Sequence, residues 1–226
     1  MAEGICSTLS AADCRAAART LRDTARLLYD HGWAFGTCGN YSVVLERDPL
    51  RLLVTASGRD KRALADEDFV IVGDEGKPVD PVGPKPSAET QLHVVLTRSR
   101  EVGAVLHTHS VWNTVLSDLY SPQRELTIGG YEMLKGLAGI TTHDTSAQIA
   151  IFENTQDIAA LAAELAPRLE RRDPAVRHAF LIRGHGLYTW GRDLAEARRH
   201  VEVLEFLFEV TARRLALTDA LSSAGL

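Results

Sequence analysis

His107, Thr108 and His109 carry the strongest chemical signal in the chain. The preceding apolar run 103–106 predicts a strand, on which residues two apart face the same side, roughly 6.6–7 Å apart along the backbone. Two imidazoles so placed can converge on one cation at metal–nitrogen distances of about 2.0–2.1 Å. The pattern also suits two histidines bonding backbone at a strand end. His185, between Gly184 and Gly186, is the third candidate, because glycine neighbours free the backbone to present it from a tight turn. It is equally readable as an incidental turn residue. Three imidazoles with an open fourth position describe a catalytic zinc site rather than a structural one. Imidazole ligation also accepts Fe, Co, Ni or Mn.

Two carboxylates stand out. Glu89 follows Lys85-Pro86-Ser87-Ala88 at the start of a predicted helix, whose dipole favours an ionised group. Glu132 lies in Gly129-Gly130-Tyr131-Glu132-Met133. Partial burial there would raise its pKa into the range of a general acid/base. By spacing alone the ordinary readings are preferred: a first-turn Glu complementing the dipole, and a surface Glu. Gly36-Thr37-Cys38-Gly39-Asn40 and Thr55-Ala56-Ser57-Gly58 are turns that could cradle an anion together with a helix start at Ser87. Lys61 and Lys85 are placed to add charge. Neither turn matches a P-loop or a dinucleotide fingerprint. His31, His93, His143, His178 and His200 form no ligand pattern and read as structural. His93 falls four residues after Glu89, on the same helix face. Cys38 has no basic neighbour in sequence and is not assigned as a nucleophile.

The elements that must position these residues follow from pattern. Helices are predicted over 10–31, with Ser10 as cap and Gly32 as terminator, and over 87–100 with Ser87 as cap. Others follow from residue 111, from a Thr155 cap to about 170, and over 194–217. Strands are predicted over 41–45 and 52–55, a hairpin around Asp48-Pro49, and over 69–72, 102–107, 179–182 and 187–190. Hairpin-like early links do not fit a regular β-α-β alternation. The expected fold is therefore α/β, a mixed and mostly antiparallel sheet with helices on its faces, formed by one domain spanning 1–226.

Composition bounds the function. The chain has 226 residues, 45% of them apolar and 24% charged, with a formal net charge of −5. This is ordinary globular composition. Mild acidity argues against nucleic acid as the main partner. No apolar stretch reaches the ~18 residues of a membrane span. Residues 1–10 lack the pattern of a signal peptide. Cys6, Cys14 and Cys38 are odd in number and without C-x-x-C spacing, which fits a reducing cytoplasm.

The ordered set of Gly36-Thr37-Cys38-Gly39-Asn40, Thr55-Ala56-Ser57-Gly58, Pro86-Ser87-Ala88-Glu89, His107-Thr108-His109 and His185 resembles the class II aldolase/adducin family. The resemblance runs over about 27–207. Segments 130–136, 151–157 and 183–191 are similar to the branch of that family that dehydrates 5-methylthioribulose 1-phosphate in methionine salvage. The resemblance implies a three-layer α/β/α fold and a homotetramer with active sites between subunits. It implies one Zn2+ per subunit on His107, His109 and His185, and a small sugar-phosphate substrate. It implies Glu132 as the general acid/base, given across the interface, and Glu89 as a carboxylate that binds zinc or moves the proton. Asn40, Ser57, Gly58 and Ser87 match phosphate-binding positions; Gly39 shares their turn, and Lys61 stands to compensate for Ala88 at a position where some aldolases have Ser. Cys38 departs from the more usual Ser or Ala. A sugar-phosphate aldolase or epimerase of the same family is the alternative activity. Adducin heads, which lack the metal histidines, are a non-catalytic one.

Overall fold

The computed structural model describes residues 10–99 and 101–223. The expectations about residues 1–9, and with them Cys6, lie outside it. Ser10 caps the first helix, its Oγ accepting the Asp13 N–H at 3.1 Å. Helix α1 (Ala11–Asp30) buries Leu21, Ala25 and Leu28. It stops at Gly32, whose φ of 80° suits glycine.

Eight strands form one sheet: β1 (Asn40–Arg47), β2 (Leu50–Thr55), β3 (Phe69–Val72), β4 (Ala104–Thr108), β5 (Glu125–Gly129), β6 (Ser146–Phe152), β7 (Ala179–Ile182) and β8 (Gly186–Gly191). Their order is β3-β2-β1-β4-β8-β7-β6-β5. Every pairing is antiparallel except β6 with β7. That parallel pair is joined through α4 (Ile158–Glu170). The expected mixed, mostly antiparallel sheet is what forms.

Strand side chains alternate between two cores, as the two-residue period requires. Val105, Ala150, Phe152, Phe180, Ile182, Tyr188 and Trp190 pack with α4 and α2 (Thr90–Thr97). Ala179, Leu181, Leu187, Ile149 and Ile151 face the opposite way, onto α3 (Val111–Leu119) and α5 (Leu194–Ser223). Ala104 and Leu106 meet α1 on that second side. The result is the three-layer α/β/α arrangement.

Several local expectations are corrected. The helix predicted from Ser87 begins at Thr90 and ends at Thr97. The Ser87 Oγ instead accepts the Glu89 N–H at 3.3 Å, a turn ahead of the helix proper. Asp157, not Thr155, caps α4, with Oδ1 accepting the Ala160 N–H at 2.9 Å. Strands β5 and β6 were not predicted. Strand β5 is short and lies at the sheet edge, so only alternate residues are buried. No helix among the described residues is long and apolar enough to cross a membrane. Cys14 and Cys38 are not joined in a disulfide.

Candidate active site

The sheet register assembles the centre. Asn40 on β1 sits opposite His107 on β4, and His107 sits opposite Tyr188 on β8. Directly opposed side chains share a face with Cβ atoms about 4.5–5.5 Å apart. The His107 ring stacks on Tyr188 with centroids 4.0 Å apart, and Tyr188 stacks on Phe180 at 4.8 Å. These contacts fix the plane of a fully buried imidazole. Its Nδ1–H donates to the Leu187 carbonyl at 2.9 Å, which leaves Nε2 bare and directed into the site.

His109 lies just past β4, held by its N–H bond to the Trp33 carbonyl at 2.8 Å. His185 enters from the β7–β8 turn. Close approach here depends on Gly186: a Cβ at that position would lie 2.4 Å from the Thr108 carbonyl oxygen. Ser117 Oγ, on α3, accepts the Gly184 N–H at 3.0 Å and steadies the same turn.

One ligand-type nitrogen from each of His107, His109 and His185 lies within 4.8 Å of the others. The Nε2 atoms of His107 and His109 stand 2.9 Å apart, which requires a proton or a cation between their lone pairs. Burial, then the neighbouring histidines, push the His107 pKa well below its usual value. Burial, then His185, push His109 down to about 4. Rings kept neutral in this way are in the form that binds metal. The donor set fits a divalent metal ion.

Glu89 completes the cluster. Its Oε1 is 3.4 Å from His185 Nε2, and its Oε2 is 3.6 Å from His107 Nε2. Asn40 Nδ2 donates to Oε2 at 2.7 Å. Sequence spacing alone favoured an ordinary helix-start role for Glu89, whereas tertiary packing turns it onto the histidines.

The turns expected to cradle an anion converge beside this cluster. Ser57 N–H donates to the Lys85 carbonyl at 2.9 Å, and Ala56 bridges to Pro86. This brings Ser57 and Gly58 next to Ser87, which accepts from Asn40 Nδ2 at 3.4 Å. Lys61 Nζ, buried, donates to the carbonyls of Thr37 and Arg59 at 3.0 and 2.7 Å. Burial lowers the Lys61 pKa to about 8. At Gly39, with φ of 79°, a Cβ would sit 2.6 Å from the His107 carbonyl oxygen, so only glycine lets this turn press on β4.

Glu132 lies at the surface, as spacing alone suggested, without the partial burial that would raise its pKa. It lies in a 3-10 turn (Glu132–Gly136), its side chain 70% exposed, and it is not part of the histidine cluster. Its carboxylate accepts from Lys135 Nζ at 2.6 Å and lies 3.3 Å from His143 Nδ1. Lys135 holds its pKa below the usual carboxylate value, not above it. Two histidines read as structural fix the segment that follows: His178 Nε2 donates to the Ala138 carbonyl at 2.8 Å, and His200 Nε2 accepts the Ala138 N–H at 3.0 Å.

His93 and Ser42 are the site residues that sequence reasoning passed over. The only signal was the four-residue step from Glu89 to His93. His93 bonds both Asn40 and Ser42, which come from strand β1, far away in sequence.

Residues 19–212 match the family described as Class II Aldolase and Adducin N-terminal domain. A protein of Alcanivorax borkumensis named methylthioribulose-1-phosphate dehydratase is 47% identical over 204 residues, covering 89% of this chain and 93% of that one. A protein of the same name from Geobacillus thermodenitrificans is 44% identical over 188 residues, covering 83% and 87%. A solved structure of L-fuculose 1-phosphate aldolase superposes with a TM-score of 0.74 at 22% identity, covering 93% of this chain and 90% of its own; that likeness concerns the fold. With the sheet order, the histidine cluster and a match across most of its length in agreement, this chain belongs to the class II aldolase and adducin N-terminal domain family.

Proposed function

We propose that this chain is a hydro-lyase that removes one water from 5-methylthioribulose 1-phosphate to give 2,3-diketo-5-methylthiopentyl 1-phosphate, a step of methionine salvage. The observation that carries the choice of reaction is 47% identity over nearly the whole of a protein named for it. His107, His109 and His185 would hold one Zn2+ per subunit. When bound, the metal supplies Lewis-acid polarisation of the substrate's C2 ketone and C3 hydroxyl.

The chain's own residues do the rest. Gly39, Asn40, Ser57, Gly58, Ser87 and Lys61 form the phosphate end, where backbone N–H groups, hydroxyls and an ammonium meet a dianion. A carboxylate takes the C3 proton, and an acid protonates the C4 hydroxyl as it leaves. One group reaching both positions can do both. Glu132 is assigned this role, supplied by a neighbouring copy of the chain, because in its own chain it stands outside the histidine cluster, exposed and ionised. A homotetramer with sites at subunit interfaces, built from one domain spanning 1–226 and working in the cytoplasm, is the matching assembly.

A sugar-phosphate aldolase or epimerase is the second reading. The position of Glu89, 3.4 Å from His185, favours it, because a carboxylate there can also move a proton. Mass spectrometry of the zinc-loaded protein with 5-methylthioribulose 1-phosphate tests both. Loss of one water that depends on metal is expected. Dihydroxyacetone phosphate and methylthioacetaldehyde, the products of C3–C4 cleavage, would establish the aldolase instead.

A further inference from the structure

Behind Glu89 lies a chain of buried polar groups whose donors and acceptors can be matched one by one. Ser42 Oγ and His93 Nδ1 are 2.7 Å apart. His93 Nε2 contacts Asn40 Oδ1. Asn40 Nδ2 donates to Glu89 Oε2 at 2.7 Å. Ser42 and His93 are fully buried, and Asn40 is 4% exposed.

The carboxylate fixes the direction of the whole series. Facing an acceptor, Asn40 must present its NH2, since an amide flip would set two oxygens against each other. Its Oδ1 then faces His93 and needs a donor, so His93 carries its proton on Nε2. The bare Nδ1 accepts the Ser42 hydroxyl. An imidazolium would lose that last bond, and burial, which drives the His93 pKa down to about 3, keeps the ring neutral. Tyr188 packs edge-on against the His93 ring with centroids 5.8 Å apart, and so closes the site's aromatic stack over it.

We propose that His93, held as its Nε2–H tautomer by the Asn40 carbonyl oxygen, is a positioning residue that orients the Asn40 amide and through it the Glu89 carboxylate beside His107 and His185. A terminal carboxylate torsion is broad and two-fold, so an untethered Glu89 would sample many orientations. The tether selects the one in which Oε1 faces His185 and Oε2 faces His107. The effect of this relay on turnover rests on the reaction proposed above; the relay's geometry does not.

The test uses the full-length, metal-loaded protein. Nitrogen-15 NMR of the histidine rings should show His93 with a protonated Nε2 and a bare Nδ1; a protonated Nδ1 would overturn the proposal. His93→Leu should weaken zinc retention against a chromophoric chelator, or lower kcat with little change in KM, by roughly 10–100-fold, the usual cost of losing such a supporting contact. His93→Gln, whose NH2 can still donate to Asn40, should recover most of that loss. Equal behaviour of the Leu and Gln variants would overturn the relay. If the Leu variant does not fold, His93→Met takes its place, with the same expected loss and the same rescue by Gln; equal behaviour of the Met and Gln variants overturns the relay. An unmodified protein that leaves the sugar phosphate intact would overturn the proposed reaction, while tautomer and zinc retention would still decide the relay.

Discussion

The two carboxylates of this protein sit in opposite physical settings. Glu89 is 15% exposed, bonded to a buried amide and turned onto the imidazoles of His107 and His185 of its own chain. Glu132 is 70% exposed, paired with Lys135 and His143, and turned to solvent. Yet the backbone around Glu132 is not loose. Leu134 and Leu137 are buried, Arg199 Nε donates to the Gly136 carbonyl at 2.9 Å, and two histidines grip Ala138. A rigid mount presenting an exposed, ionised group is what a residue serving another surface requires, whereas Glu89 already has its partners. One region is complete within a chain; on the proposed assembly, the other is completed by a second copy.

The largest expected effect tests the self-contained centre. His107→Ala should abolish zinc retention and turnover together, read by metal analysis of the purified protein and by rate. Full occupancy in that variant would remove His107 from the site. Glu132→Gln should retain zinc and lose about 10²–10⁴ in kcat, the range of general acid–base assistance. The contrast sharpens when these two inactive variants are mixed and allowed to exchange subunits. Sites pairing an intact His107 with an intact Glu132 should recover part of the activity. No recovery after verified exchange would confine Glu132 to its own chain.

A smaller effect comes from the mount. A Cβ on Gly136 would lie 2.4 Å from Val203 Cγ2, so Gly136→Ala should cost about 1–3 kcal/mol of stability by overpacking. It should lower kcat with zinc still bound, because only the Glu132 segment shifts. Urea unfolding with parallel rate and metal measurements checks both parts.

The effect with the least bearing on turnover is a pH dependence behind the centre. Glu205 on α5 is buried, accepts from Ser110 Oγ at 2.6 Å and from Asn113 Nδ2 at 2.9 Å, and so ties α5 to the start of α3 just after His109. Burial raises its pKa from 4.5 to about 7 despite those bonds. Between these values the folded chain holds a proton that the unfolded chain has released. This group's contribution to stability therefore declines as pH rises from about 4.5 to about 7, by an amount on the order of a few kcal/mol. Glu205→Gln should lack that decline, so the difference between the two proteins' urea midpoints should change across the window. Parallel midpoints would show that Glu205 does not titrate there.

Much of this was legible in the sequence because it is local. Ser10, Gly32 and the alternating apolar runs specify α1 and most strands through caps and periodicity, which depend only on neighbours along the chain. The H-x-H pair needs nothing beyond a strand to put two imidazoles on one side, and His185 between glycines marks the third. What was missed depends on contacts between distant segments. Strand β5 owes its existence to pairing with β6 rather than to its own pattern. Glu132 stays at the surface, as spacing suggested, and its lowered pKa was not legible because Lys135 and His143 meet it only once the segment is folded. Register across β1, β4 and β8 placed Asn40, His107 and Tyr188 in one row, and no spacing rule links positions so far apart. That register, with α2 laid over it, decided that Glu89 faces the histidines and that His93 stands behind Asn40. The sequence by itself determined which groups could do the chemistry. Which carboxylate meets the histidine cluster within one chain was decided by the tertiary structure, because only close packing brings distant buried polar groups within hydrogen-bonding distance and obliges each to find a partner.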